Sequence, residues 1–246
     1  MSRNTIIHDN VQIGEGVCIG DFSIIYPNVT ICDGTTIGPY CTIGEPTTDY
    51  YKSDAYIHEK TIIGANSIIR SHSIVYSGVT IGTGFQGGHR ITIREEANIG
   101  NNVRIGTLSD IQGYCEIGSY VSVHSNVFIA QYSTICNYVW IFPHAVLTND
   151  PTPPSNHMRG SRIEEFAVIA AGAVIMPGVV VGKDSLVGAG SLVRSNVSEM
   201  TVVAGNPAKE ICSVEKIRNK VTGEPVYPWR YYFDRGMPWE GIGFVK

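Results

Sequence analysis

From Ile7 onward an aliphatic residue recurs every six positions, through Ile13, Ile19, Ile25, Ile31, Ile37 and Ile43. After a longer gap the series resumes at Ile57, passes Ile63, Ile69, Val75 and Ile81, and then runs from Ile93 to Leu147. Four residues after each aliphatic stands a small or β-branched residue, such as Ser67, Ser73, Val79, Ala97, Val103 and Cys115. The position before that one is often Gly or Asn (Gly16, Asn28, Gly34, Asn66, Asn102), as expected where the backbone enters the left-handed region. A period of six fits neither helical spacing nor a hairpin meander. It is a signature of a parallel β-helix, in which about 18 residues make one triangular coil of three short faces.

The rest of the sequence narrows the class without naming a function. A chain of 246 residues with net charge -4 and 43% hydrophobic content reads as soluble, and nothing in it marks a nucleic-acid binder. No run approaches the roughly 20 apolar residues of a membrane span. "MSRNTIIHDN" lacks the apolar core of a signal peptide, so a cytoplasmic location is expected. The six cysteines are scattered, with Cys41 and Cys115 in inward small-residue slots, and read as core filler rather than disulfides or metal ligands.

Two insertions interrupt the period, and loops leaving a rigid scaffold are where binding residues concentrate. Ile43 and Ile57 are 14 positions apart, which extrudes "GEPTTDYYKSDAY", and Leu147 and Ile163 are 16 apart, which extrudes "TNDPTPPSNHMRGSR". Hexads end near residue 205. Residues 206–246 are then expected to form a short helix near 207–220 followed by an aromatic cap or arm.

Residues 18 apart should stack at roughly 4.8 Å, so the sequence can be read as ladders. One face stacks Glu96, Tyr114, Tyr132 and Asp150, with Glu95 and Asn149 alongside. The preceding face stacks His72, Arg90, Leu108, Asn126 and His144, with His89 beside them and His124 above Gly88. "HRITIRE" straddles the corner these faces share. The same stretch breaks the rule: position 87, due an aliphatic, is Gly, and Phe85 stands where the repeat wants a small residue. We expect the Phe85 ring to fill the volume Gly87 vacates, and the glycine to let the backbone deviate and present His89 outward.

The hexads "IGANSI", "IGNNVR" and "VGAGSL" resemble those of the left-handed β-helix acyltransferases, over nearly all of residues 7–205. The resemblance implies an all-β fold: a left-handed parallel β-helix of hexapeptide repeats with two inserted loops and a short aromatic C-terminal α/β extension. Handedness comes from the resemblance alone, because left-handed coils go against the usual crossover rule. It also implies a homotrimer that binds acyl-coenzyme A between coils, with no metal. "AAGAVIMPGVVVGKDSLVGAGSLV" followed by "VAGNPAK" resembles the acetyltransferase ending. Gly172, Ala173 and Gly190 would there pass the pantetheine arm, and Lys183, Arg194 and Lys209 would pair with the coenzyme phosphates.

"GFQGGHRITIRE" with "LTNDPTPP" resembles a subgroup that acylates amino sugars carried on a nucleotide diphosphate. The aromatic tail "YPWRYYFDRGMPW" is similar to that of enzymes acylating a dTDP-linked 4-amino-4,6-dideoxyhexose. Acyl transfer to an amine needs a free nitrogen lone pair, oxyanion stabilisation and protonation of the leaving thiolate. His89 is the candidate base, with Glu95 or Glu96 orienting it or holding the sugar; Arg94, His124, Tyr132, Asn149 and Asp150 are candidate substrate contacts, and Arg159 or Arg162 candidate diphosphate contacts. Alternatively, the sugar amine arrives neutral and proximity supplies the rate. An O-acetyltransferase would need a true base, a non-catalytic trimeric scaffold would not bind the coenzyme, and a zinc enzyme would need three converging histidines.

Overall fold

In the computed structural model, which describes residues 4–244, the hexads wind into three sheets of ten, nine and eleven strands, parallel except for the last strand of the third. Most strands are two residues long, one residue facing in and one facing out. The chain visits the first face (Thr92–Ile93), the second (Asn98–Ile99) and the third (Arg104–Ile105) in turn, and then returns to the first at Asp110–Ile111. Partners sit one coil apart, as in Thr92↔Asp110, Asn98↔Glu116 and Gln86↔Arg104. This architecture is the parallel β-helix the period calls for, consistent with the left-handed form implied by the resemblance.

The aliphatic of each hexad points inward and is almost fully buried, as at Ile93, Ile105, Ile111 and Ile129. Small polar residues in the second inward slot satisfy corner carbonyls: Ser73 Oγ donates to Arg70 O at 2.7 Å, and Ser109 Oγ donates to His124 O at 2.8 Å. Corners turn through a left-handed residue, Asn102 at φ 56 and Gly84 at φ 69 among them. Tyr114 and Tyr132 occupy the same slot at φ 59 and 64, and their rings stack at 5.4 Å. Stacking worth roughly 0.5–1.5 kcal/mol offsets a left-handed cost of similar size.

At the broken hexad, Phe85 is fully buried. A Cβ built on Gly87 would lie 3.0 Å from Phe85 Cε1 and 2.7 Å from Ile91 Cδ1, so these two side chains fill the missing aliphatic's volume. The backbone does not deviate: Gly87 pairs in register with Ile69 and Ile105. The break is a packing substitution inside a regular coil.

Four further expectations are corrected. The period resumes at Ile63, not Ile57; Ile57 is 77% exposed, and Thr61–Ile63 is the strand that pairs with Val29–Ile31. The second insertion shifts the ladders, because Thr134 pairs with Arg162; a Cβ on Gly160, rather than Asp150, would press on Tyr132. Residues 207–220 hold no α-helix: Ala208–Ser213 pairs antiparallel with Thr201–Gly205 and closes the third sheet, followed by a single 3-10 turn at Val214–Lys216. Finally, "HRITIRE" spans two corners, with His89 and Arg90 at the turn from third face to first, and Arg94 to Glu96 at the turn from first face to second.

The C-terminal arm folds back over the third face. Trp229 Nε1 donates to Phe166 O at 2.7 Å, and Arg230 pairs with Asp184 at 3.1 Å. Burial outweighs the pull of Arg230 and holds the Asp184 carboxyl above the usual carboxylate range. Trp229 packs with Trp140, Phe166 and Val168 in a second apolar cluster outside the coils. No helix of the described residues is long and apolar enough to cross a membrane.

Candidate active site

The outward residues of the third face form a column one coil apart, Gln86, Arg104, Ser122 and Trp140. Gln86 and Arg104 lie open, whereas Ser122 and Trp140 are each 9% exposed, Trp140 beneath the arm. Beside this column runs the corner that carries His89 and His124. Column and corner bound a hollow of about 380 Å³, lined among others by Arg70, Gln86, His89, Arg104, His124 and Arg235. A second hollow of about 390 Å³, walled by Trp140, Phe142, Trp229 and Phe233, shares His124, Trp140 and Arg235 with it.

Two imidazoles thus face one space. His89 Nδ1 lies 2.9 Å from Ser71 Oγ, and its backbone N–H donates to Thr107 Oγ1 at 3.3 Å. With Nδ1–H donating to Ser71, Nε2 keeps its lone pair. His124 stacks on Phe142 with centroids 4.6 Å apart, and its buried Nε2 has no partner. Burial first, and then the positive charge of Arg235, hold the His124 imidazole below its ordinary pKa. At neutral pH both effects favour the uncharged ring, whose Nε2 is buried without a protein partner.

His124 also makes stability pH-dependent. Its folded-state pKa lies below the ordinary 6.5, so acid charges the unfolded chain first. Stability present above about pH 6.5 should fall as pH drops through that value towards the folded pKa. Melting temperature should decline between pH 7 and pH 5, and His124→Gln should flatten that decline. An unchanged slope in the variant would refute the assignment.

Other expected site residues are dispersed. Glu95 does not meet His89: it sits at the next corner and accepts from Arg94 Nε at 2.7 Å, while the Arg94 guanidinium also lies 4.5 Å over the Tyr76 ring. Glu96, exposed at that corner, has its carboxyl held up by partial burial and by Glu59 and Glu95. Tyr132 is half exposed, stacked on Tyr114. Asp150 accepts from Ser155 Oγ and from the backbone of Thr152 and Ser155, so it organises its own loop. The Asn149 carbonyl takes the Arg159 N–H at 2.7 Å, and Arg162 pairs with Glu164 at 2.7 Å.

Of the residues assigned to the coenzyme, Ala173 is fully buried and faces the core, which excludes it from contact. Gly172 and Gly190 stack on the same corner as His89, farther along the helix. Ala170, Ala171, Gly188 and Ala189 make that end of the corner a smooth stripe. Arg194 and Lys209 line a separate hollow of about 450 Å³ at the closed end. Lys183 stands at another corner, 3.4 Å from Glu165. Among the described residues no three His, Cys, Asp or Glu side chains converge as metal ligands.

Arg70, Gln86, Arg104, Trp140 and Arg235 escaped the sequence reading. The first four could have been found by following the outward strand residue of each third-face hexad and its flanking corner, instead of the turn positions. Arg235 could not, because nothing local in the tail tells which face it covers.

A family model described as bacterial transferase hexapeptide (six repeats) matches residues 10–45, 96–131 and 160–195. The chain carries that transferase hexapeptide repeat. Among solved structures it is similar to the UDP-N-acetylglucosamine acyltransferase of Arabidopsis, at 18% identity over 86% of this chain and 73% of that one, with a TM-score of 0.59. The corresponding Campylobacter jejuni enzyme matches at 20% identity over 86% and 74%, with a TM-score of 0.34. A serine acetyltransferase in complex with cysteine is 31% identical over 36% of each chain, with a TM-score of 0.34. No curated protein sequence matches significantly. The hexapeptide repeats and the Arabidopsis superposition fix the fold.

Proposed function

We propose that this protein is an acyl-coenzyme A-dependent N-acyltransferase acting on the amine of a nucleotide-linked amino-dideoxyhexose, with dTDP as the first nucleotide to test. The observation that carries the reading is the third-face cleft, where His89 and the neutral His124 face one hollow also lined by Arg70, Arg104 and Arg235. The hexapeptide repeat, and the fold shared with an acyltransferase that acts on a nucleotide sugar, support the same reaction class. The smooth corner of Gly172 and Gly190 begins two coils, or roughly 10 Å, beyond His124. It offers the pantetheine arm a path along the same corner toward the histidines, and in a homotrimer a neighbouring subunit would form its other wall.

In this reading the amine attacks the thioester carbonyl, His89 Nε2 takes the proton the nitrogen loses, and that proton passes to the departing thiolate. The cleft contributes by holding the two reactants in line. Glu95 and Arg94, tied to each other at the next corner, have no part in orienting His89 within one subunit.

The test is thiol release by the purified protein from several acyl-coenzyme A thioesters, each offered dTDP-linked 3-amino and 4-amino dideoxyhexoses. Release that requires the amino sugar is the expected result. Coenzyme binding without release to any amino sugar would reject the acceptor class, and no coenzyme binding would reject the reaction.

A further inference from the structure

The aromatic hollow under the arm has no part in acyl transfer as described above. Its walls are mainly aromatic and apolar, Trp140, Phe142, Val168, Trp229 and Phe233 with Tyr227 and Tyr232, and two of the lining side chains keep a buried polar atom with no partner, Trp140 Nε1 and His124 Nε2. A buried N–H with no acceptor costs about 1–3 kcal/mol, so an acceptor brought in from outside, water or ligand, would be stabilised there. Trp140 Nε1 is such a donor on a side chain about nine-tenths buried. An acyl chain would fill the hollow but leave the indole N–H unpaired. A flat ring edged with carbonyl oxygens fills it and accepts the hydrogen bond as well.

The adjoining hollow decides what is attached to that ring. Arg70, Arg104 and Arg235 line or border it, no carboxylate does, and none of the three forms an ion pair among the described residues. Three guanidinium groups around an open space suit a phosphate chain, because their forked N–H donors match phosphate oxygens. Arg235 and Trp140 belong to both hollows, so ring and phosphates would be joined across them.

We infer that the hollow beneath the C-terminal arm is a nucleobase site, with Trp140 Nε1 donating to a base carbonyl and Arg235 and Arg104 receiving the diphosphate. The inference rests on the nucleotide-sugar reading above and deepens it, moving the diphosphate from Arg159 and Arg162 of the inserted loop to the third face. The arm then recognises the nucleotide as well as closing the fold. Its placement leaves the His89 end of the cleft for the sugar.

The experiment is a titration of the intact protein with dTDP, UDP, inorganic pyrophosphate and octanoate, followed by tryptophan fluorescence and calorimetry, with no acyl donor present. We expect dTDP to bind and to quench fluorescence. Trp140→Phe, which keeps the packing and removes the N–H, should weaken dTDP about five- to tenfold and leave pyrophosphate unchanged. Arg235→Ala, at an exposed position, should weaken both by about tenfold or more. Melting curves check that each variant folds, and Arg235→Ala decides the matter if Trp140→Phe does not. Absent dTDP binding, dTDP affinity unchanged in both variants, or octanoate displacing dTDP as effectively as UDP would each overturn the inference. If dTDP binds as expected and no amino sugar is acylated, the reaction assigned above fails while the nucleotide site stands.

Discussion

Replacing His89 with asparagine should slow amino-sugar-dependent thiol release by about 10²- to 10⁴-fold, the usual contribution of a positioned general base. Coenzyme binding should be unaffected, since the small-residue stripe lies farther along the corner. Ser71 anchors Nδ1 at 2.9 Å and Thr107 anchors the backbone, so the ring is held in place beside the hollow that it lines. Asparagine can still meet Ser71 but cannot accept and return a proton. A variant losing less than about tenfold in kcat would show that the sugar amine loses its proton without a side-chain base. Loss confined to KM would make His89 a substrate-holding residue. His72 and His144 share the left-handed ladder at the same corner but do not line the hollow, and their asparagine variants serve as controls.

How far the sequence reaches follows from what sets each feature. The coil register is a local rule repeated many times, so the ladders Tyr114–Tyr132 and His72–His144 could be read directly from positions 18 apart. Errors begin where the rule lapses. Ile57 keeps the phase by coincidence, since a loop is under no periodic constraint, and it is the inward slot before Ile63 that closes the coil. "EICSVEKIRN" carries enough helix formers to suggest a helix, but its first half is held by main-chain bonds to Thr201–Gly205, and the tertiary pairing overrides the propensity. The candidate site was half visible. His89 and His124 could be placed on one corner from the ladder and the broken hexad at Gly87, while the Trp140 hollow depends on a tail some ninety residues away whose docking is non-local. Glu95 does not reach His89 within one subunit because six residues of sequence look close but span a whole face of the triangle.

The broken hexad gives the largest expected change in stability. Phe85→Ala should cost about 3–5 kcal/mol, the range for removing a fully buried aromatic ring. The site cannot collapse to recover part of it, because Gly87 has no side chain to move in and the backbone on either side is tied to Ile69 and Ile105. Gly87→Ile alone should also destabilise, by about 1–3 kcal/mol, since its Cβ would already crowd Phe85 Cε1 and Ile91 Cδ1. Together, Phe85→Val with Gly87→Ile reproduces the pair found one coil later, Val103 and Ile105, and should recover most of both losses. The prediction is therefore a coupling of at least about 2 kcal/mol in a double-mutant cycle measured by urea unfolding. Simple additivity would mean that the ring and the glycine do not share one volume. Recovery of stability with His89-dependent activity retained would further show that the break is a packing solution. If stability returns but activity does not, the ring in the core also sets the position of the corner that carries His89, two residues beyond Gly87.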